Sequence, residues 1–482
     1  MNANDSIVSA EAVSRQHTRH VLAIFVAAIS LCWPAFLNRY PLMYPDSIGY
    51  IGDGRAIAAA LFLHRFGHFG WQRSAFYSLG ILPFHLNRSP WPIVALHALL
   101  TAWVLWLVVR SIVARGRTRS YLLVVALLSV LSSVAWFVSF AVPDILGPVL
   151  YLSIYLLVFA RDTLSCPERW LLRVLVGWCC LAHSTHLLLA PCLCALLAVL
   201  LLFRQARARL WTGTAEVAVI VALAFASQLG LNTFLFGRPS LDAGRPPLLM
   251  ARVIADGPGR MYLEQNCTRL GRTDLDWTIC THVANLPDSE DYFLWVPTGI
   301  FATATEVEKQ QLRREEMPLV LATVRAFPGA QLRASLQNAW EQFLDIDIAD
   351  FGNSTWMEGS LDTVMPGSEA RYRRSLQSRS AVPSDFFSDL AEWVASISLL
   401  VVLGTIPLLW RWRAWRLLGM VFIVLPVLVL NAIFTGALSG IDARYQARVV
   451  WLVPLLAVLG VLWVVERYRG RSSEEILPVS AA

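Results

Sequence analysis

Residues 20–50 read HVLAIFVAAISLCWPAFLNRYPLMYPDSIGY, an apolar run followed by a short segment that contains an aspartate. The apolar part, 20–38, is close to the roughly 20 residues that a helix needs to cross a bilayer. Asp46 follows it in Tyr44-Pro45-Asp46-Ser47. A carboxylate beside a span must face water, a polar partner or a cavity, because lipid does not solvate charge. The stretch therefore predicts a membrane protein with a polar site at one membrane face.

The composition of the whole chain supports a membrane protein. Of its 482 residues 56% are hydrophobic and 15% are charged, and the mean hydropathy is +0.54. So few charges cover a soluble surface poorly. We therefore expect an all-α polytopic membrane protein surrounded by membrane lipids. The net charge of +6 is explained by orientation in the membrane, and no nucleic-acid partner is expected.

Apolar runs of span length recur along the chain. They predict about ten transmembrane helices, over residues 20–38, 91–113, 120–142, 145–161, 168–184, 186–203, 214–236, 388–410, 415–437 and 447–465. The fifth and sixth runs could instead form one broken hairpin. Short Arg-containing segments occupy every second connection, which predicts that these connections and both termini are cytoplasmic. The expected location is a bacterial inner membrane, with the large loops extracytoplasmic.

Three parts of the chain are expected. Residues 1–236 form an N-terminal transmembrane module with a first outer loop at 39–90, 237–387 form a mainly helical extracytoplasmic domain, and 388–482 form a C-terminal transmembrane module with a short cytoplasmic tail. In the first outer loop, near-helical spacing of apolar residues predicts two amphipathic surface helices, at 47–66 and 74–86. In the outer domain, a helix is expected over 303–344, interrupted at Pro318 and Pro328.

Two aspartates are expected on the extracytoplasmic side. Asp46 could act as a general base or orient a ligand, and it could also cap the helix that follows Pro45. Asp144 lies in Pro143-Asp144-Ile145, a tight turn between spans, where capping is again the alternative. A paired-carboxylate site is the interpretation that uses both side chains.

Basic side chains on the same side are candidates for phosphate binding, because a guanidinium can bind a phosphate with two parallel hydrogen bonds. Arg444 and Arg448 are the clearest pair, since a spacing of four places both on one helical face. Anchoring at lipid headgroups is the alternative role. Arg65, Arg245 and Arg260 share the predicted side, and the arginines selected as site candidates are Arg55, Arg73, Arg252, Arg444 and Arg448.

Histidine and cysteine pairs complete the candidates. His183 and His186, three residues apart, are candidates for hydrogen bonding to a sugar or phosphate, although a polar turn would also explain them. No metal motif is evident, and no cofactor is expected. Cys267 and Cys280 lie in a polar outer segment, where an oxidising compartment favours a disulfide.

The layout resembles the membrane-embedded GT-C glycosyltransferases. The similar features are a first span, an acidic residue (Asp46) early in the first outer loop, two surface helices and a large late outer region. Trp71 to Tyr77 looks like the Arg-x-Pro-x-Tyr-Pro segment of some relatives, without its prolines, and places Arg73 there. The resemblance implies sugar transfer, with inversion, from a polyprenyl-phosphate-type donor to an extracytoplasmic glycan, lipid or protein. It also implies that Asp46 is the base and Asp144 the second acidic position.

Two other functions remain open from the sequence. A glycan polymerase or ligase of the O-antigen type would depend more on outer Arg and His residues than on Asp46. A transporter or flippase for a lipid-linked glycan should carry charges within its spans, but few are found beyond Arg173 and Glu216.

Overall fold

The computed structural model describes residues 3–65, 73–237, 239–241, 244–267, 277–348 and 354–475. Throughout these residues the regular structure is helical, apart from one isolated bridge between Leu42 and Phe140. The first eleven α-helices are α1 (Ala3–Leu31), α2 (Trp33–Asn38), α3 (Pro45–Leu63), α4 (Ala75–His85), α5 (Trp91–Ile112), α6 (Arg117–Leu131), α7 (Val134–Ser139), α8 (Leu146–Phe159), α9 (Cys166–Ala182), α10 (Ser184–Leu200) and α11 (Arg204–Phe236).

The remaining α-helices follow the gap around residue 242. They are α12 (Leu248–Ala255), α13 (Pro258–Cys267), α14 (Glu290–Leu294), α15 (Ile300–Thr303), α16 (Glu306–Ala326), α17 (Pro328–Leu344), α18 (Ser354–Val364), α19 (Glu369–Tyr372), α20 (Ser384–Arg411), α21 (Trp415–Leu438), α22 (Ala443–Val450) and α23 (Leu452–Glu475). Short 3-10 helices cover Pro143–Ile145, Arg161–Thr163, Thr278–Asn285 and Gln377–Arg379.

Five helical segments in the described part of the chain are long and apolar enough to cross a membrane. They are α5, α11, α20, α21 and the continuous stretch Ala443–Tyr468. Three shorter apolar helices cover Thr18–Leu31, Pro143–Phe159 and Ser184–Leu200. The prediction of a helical membrane protein is confirmed at this level, and the number of ten spans is not.

Two of the expected continuous spans are broken. The run 20–38 divides at Cys32, where Pro34 lies in the first turn of the new helix α2 and supplies no backbone N–H. The run 120–142 divides at Ser132, whose backbone is extended. The hydroxyls of Ser132 and Ser133 donate to the carbonyls of Leu128 and Ala447, and such side-chain bonds compete with helical hydrogen bonding.

Helix α8 forms the centre of the membrane module. Every residue from Leu146 to Val158 is buried, as expected for a helix that is apolar on all sides. It packs against α5, α9, α11 and α21. Because Asp144 immediately precedes it and Arg161 closely follows it, α8 separates two polar regions at its opposite ends.

The predicted surface segments 47–66 and 74–86 form helices α3 and α4, which pack against each other. Part of the first segment, from residue 66, lies outside the described residues. Helix α3 buries a face that includes Ile48, Ile51 and Ile57, while Phe62 and Leu63 are exposed. The placement of both helices at a bilayer surface stays a prediction.

Within the predicted outer domain, α12 to α16 share a separate hydrophobic core around Met250, Phe293 and Leu319. The expected interruption of α16 at Pro318 is wrong, because the helix continues from Glu306 to Ala326. Leu312 and Leu319, on either side of the proline, are both buried in this core. Their packing offsets the cost of the backbone hydrogen bond that Pro318 cannot make. The break at Pro328 is confirmed, since α17 begins there.

Helix α17 instead packs along α21. The contact is close, because a Cβ atom added at Gly436 would lie 2.5 Å from the carbonyl oxygen of Asn338. Residues 328–344 therefore cover one side of α21. The boundaries proposed for the three parts of the chain stay predictions.

The predicted disulfide is confirmed: Cys267 and Cys280 are bonded, with their Cα atoms 5.3 Å apart. It links α13 to the 3-10 helix Thr278–Asn285. Replacing both cysteines with serine is expected to destabilise the core of α12 to α16 by about 3 kcal/mol, since the crosslink restricts the unfolded chain. Hydrogen exchange measures the effect: protection should fall in Leu248–Ala326 and stay unchanged in α8. Equal protection in both proteins would contradict this expectation.

Candidate functional site

Hydrogen bonds from distant parts of the chain hold the segment that precedes Asp46. The backbone N–H of Leu42 donates to the carbonyl of Ser139 at 2.9 Å, and Ala141 N–H donates to the carbonyl of Leu42 at 3.0 Å. On the other side, Met43 exchanges two hydrogen bonds with the side-chain amide of Gln377. The first of these contacts joins the segment that carries Asp46 to the one that carries Asp144.

Asp46 lies in the first turn of α3 and is not the helix cap. The cap position is Tyr44, whose backbone N–H donates to the Ser47 hydroxyl at 3.0 Å. The Asp46 carboxylate forms an ion pair with the guanidinium of Arg73. Gly49 permits this approach, since a Cβ atom there would lie 3.2 Å from the Arg73 side chain. The carboxylate is therefore available to polar partners outside its own helix.

Asp144 and Arg448 form a buried ion pair. Arg448 Nη1 lies 3.0 Å from Asp144 Oδ1, and the two residues are only 1% and 2% exposed, respectively. Arg448 Nη2 also donates to the Asn431 side-chain oxygen at 3.2 Å. The pair joins α22 to the start of α8, and Asn431 adds a contact from α21.

Arg444 connects this pair to Asp46. Its Nη2 atom lies 3.8 Å from Asp46 Oδ2, and its charge also acts on Asp144. The guanidinium lies 3.7 Å above the ring of Tyr44. Arg444 is only 4% exposed. Its Nε and Nη1 atoms have no hydrogen-bond acceptor among the described residues. Asp46, Arg73, Asp144, Arg444 and Arg448, which we call the Asp46 cluster, therefore form one connected group.

The start of α22 is fixed so that its arginines face this cluster. Asp442 caps the helix by accepting from the Arg444 N–H at 2.9 Å. The Gln342 side chain in turn binds the backbone of Asp442 through both its amide oxygen and nitrogen, at 3.0 and 2.9 Å. The four-residue spacing then places Arg444 and Arg448 on one face, as predicted.

The two histidines have different surroundings. His183 caps α10 by accepting from the Thr185 N–H at 3.2 Å, and it interacts electrostatically with Asp144 and Arg448. His186 is fully buried, with Nδ1 3.0 Å from the carbonyl of Cys179. His183 thus borders the Asp46 cluster, whereas His186 is part of the packed core. Among the described residues no group of three or more His, Cys, Asp or Glu side chains is arranged to hold a metal ion.

Two predicted phosphate-binding arginines lie outside the cluster. Arg252 pairs with Asp256 at 2.8 Å and Glu290 at 2.9 Å beside the separate core of α12 to α16, which we call the outer core after its predicted side. Arg55 borders a separate cleft of about 510 Å³, together with Arg88. Their predicted location on the outer side did not distinguish them from the arginines of α22, because tertiary packing decides which arginines lie in the Asp46 cluster.

Asp53 is a further candidate site residue, and it was not identified from the sequence. It lies seven residues, or about two helical turns, after Asp46, and the backbone N–H of Arg73 donates to its carboxylate. Its Oδ2 atom is buried and has no hydrogen-bond partner among the described residues. Burial raises the pKa of Asp53 to about 6. Its helical spacing from Asp46 was the available signal.

Asp53 predicts a pH dependence of stability. In the folded protein the pKa of Asp53 is raised from 3.8 to about 6. The stability that Asp53 contributes to the fold is therefore fully present below about pH 4 and is lost as the pH rises through 6. Asp53→Asn should therefore match the wild type in stability near pH 4 and exceed it at pH 7.5, by up to about 3 kcal/mol. Denaturation in mixed micelles at both pH values measures this. Asp288→Asn, at a carboxylate 94% exposed, is the control, and a pH-independent difference for Asp53→Asn would contradict the assignment.

No known protein family, curated protein or solved structure matches this chain significantly.

Proposed function

We propose that the protein is a membrane glycosyltransferase that transfers a sugar from a polyprenyl-phosphate-type donor to an extracytoplasmic acceptor with inversion. One observation carries this proposal: Arg444 is buried next to Asp46 and has two nitrogen atoms for which the described residues supply no acceptor. Buried polar groups nearly always have hydrogen-bond partners. Phosphate oxygens are suitable acceptors for a guanidinium, so a phosphate bound there would satisfy Arg444.

The proposed reaction uses both charges of the cluster. The bond between the anomeric carbon and the donor phosphate breaks, and the acceptor oxygen bonds to the same carbon from the opposite face. Arg444 stabilises the negative charge that develops on the departing phosphate. Asp46 accepts the proton that the acceptor hydroxyl loses. Arg73, paired with Asp46, orients the carboxylate.

Asp144 and Arg448 have a positioning role in this proposal. Their side chains neutralise each other and are almost completely buried, so neither is placed to contact a reacting atom. They hold the start of α22 against α8 and thereby keep Arg444 beside Asp46. His183 borders the cluster and could donate to a sugar hydroxyl. No metal ion has a role in this proposal.

Turnover by the purified protein tests the proposal. The protein in phosphatidylcholine nanodiscs is given a panel of polyprenyl-phosphate sugars and a mixture of glycan and lipid acceptors. We expect release of free polyprenyl phosphate together with a product of inverted anomeric configuration. Movement of intact donor across liposomes without release would favour a flippase. Turnover that requires a pyrophosphate-linked glycan would favour the polymerase or ligase.

Arg444→Lys should raise the KM for the donor by about tenfold. Lysine keeps the charge, but it loses the planar fork that binds two phosphate oxygens. Arg260→Lys, in the outer core, is the matched control and should leave the KM unchanged. An unaltered KM in Arg444→Lys protein of normal turnover would exclude phosphate binding by Arg444.

A further inference from the structure

A second polar cavity lies at the opposite end of α8 from Asp144. Its volume is about 770 Å³. Helix α8 has 14 residues, so the two regions are separated by about 20 Å along its axis. The connections that surround this cavity are among those predicted to be cytoplasmic. Six arginines line it: Arg161, Arg169, Arg209, Arg413, Arg416 and Arg467.

Among the residues that the structure describes, nearby carboxylates pair with only two of these six arginines. Asp162 pairs with Arg416, and Glu216 pairs with Arg161. In the described part of the chain no carboxylate lies within ion-pair distance of the lining residues Arg209, Arg413 and Arg467. The cavity therefore carries a net positive charge, which favours an anionic occupant.

A second observation concerns Arg169, which also lines the cavity. Its Nε atom is buried and has no acceptor among the described residues. Its backbone is held in the first turn of α9, where Ser165 and Glu168 form a capping box. Arg169 thus lies on a capped helix and has a donor that no group in the described part of the chain satisfies.

The remaining walls suit a lipid at the membrane boundary. Arg467 lies over the rings of Trp412 and Trp463, at 5.7 and 5.6 Å, and Trp415 is 45% exposed. Tryptophan is enriched at membrane interfaces. Apolar residues such as Phe159 and Leu417 continue the lining. The cavity thus combines a cationic region with aromatic and apolar walls.

We infer that this cavity binds the phosphate group of an anionic phospholipid. Basic pockets between transmembrane helices on the cytoplasmic side are suited to such headgroups. Arginine forks bind the phosphate oxygens, while the apolar wall contacts the start of the acyl chains. This site is separate from the Asp46 cluster and does not depend on the proposed transferase activity.

Native mass spectrometry of the full-length protein in detergent tests the inference, with short-chain phosphatidylglycerol as ligand and phosphatidylcholine as the neutral comparison. The triple variant Arg209→Gln/Arg413→Gln/Arg467→Gln removes three lining charges. The matched control, Arg115→Gln/Arg204→Gln/Arg411→Gln, removes three charges from predicted cytoplasmic positions outside the cavity. Arg413→Gln alone is a milder variant in case the triple variant fails to fold.

The wild type should prefer phosphatidylglycerol to phosphatidylcholine, and the triple variant should lose at least about tenfold in affinity for it, or about 1.4 kcal/mol. The control should change by less than about twofold. Added inorganic phosphate distinguishes the two sources of the phosphate group. Displacement of the lipid shows that the site recognises phosphate alone. If the lipid is not displaced, the acyl chains contribute to binding. Both outcomes support a phosphate site. Equal binding by the two triple variants, or no preference for the anionic lipid, would overturn the inference.

Discussion

Replacing Asp46 with asparagine should lower kcat for sugar transfer by about 10² to 10⁴, the range attributed to general acid-base catalysis. Asparagine keeps the shape of the side chain but cannot accept the proton of the acceptor hydroxyl. The KM for the donor should change little, because the proposed phosphate contacts come from Arg444. Steady-state turnover in nanodiscs gives both constants.

Asp442→Asn is the matched control for Asp46→Asn. Asp442 also lies 3.8 Å from Arg444 Nη2, yet its carboxylate caps α22, a role that asparagine performs well. Its kcat should remain within a few-fold of the wild type. A folded Asp46→Asn protein with full activity would remove Asp46 from catalysis.

The second large effect concerns stability. Asp144→Asn should destabilise the protein by about 3 to 5 kcal/mol, because it leaves the buried charge of Arg448 uncompensated. Arg448 is 1% exposed, so water cannot replace the lost carboxylate. Denaturation in mixed micelles measures the free energy of unfolding.

The double variant Asp144→Asn/Arg448→Met separates charge from packing. It should recover much of the lost stability, since replacing both members of a buried pair is often nearly neutral. The corresponding cycle on Arg110 and Glu168, a half-buried pair at 2.7 Å, should show coupling of about 1 kcal/mol or less. Similar coupling in the two cycles would mean that the Asp144–Arg448 contact is no stronger than a surface pair.

Local sequence signals predicted several parts of the site. A spacing of four placed Arg444 and Arg448 on one helical face, and the apolar spacing after Asp46 predicted a helix over 47–66, where α3 forms. The orientation rule assigned Asp46 and Asp144 to one side of the membrane. The two helical predictions succeeded because each depends on residues close in sequence, whereas the side of the membrane on which Asp46 and Asp144 lie stays a prediction.

Long-range contacts determine the parts of the fold and the site that the sequence did not predict. The bridge between Leu42 and Phe140 brings the two acidic segments together, and no local pattern indicates it. Arg252 had the same predicted side as Arg444, but its partners Asp256 and Glu290 belong to the outer core. Membrane spans were similarly misjudged where Ser132 and Ser133 bind carbonyls and end α6 within an apolar run.

Photo-crosslinking tests whether Arg444, beside Asp46, forms a phosphate-binding site. The experiment does not require the sugar to be known. A polyprenyl phosphate with a diazirine close to its phosphate is bound to the purified protein in nanodiscs, irradiated, and mapped by peptide mass spectrometry. We expect adducts within residues 44–50 and 442–448, with labelling at a subsaturating probe concentration reduced about tenfold in Arg444→Lys and retained in Arg260→Lys. Adducts confined to the outer core or to the arginine cavity at the far end of α8 would contradict it.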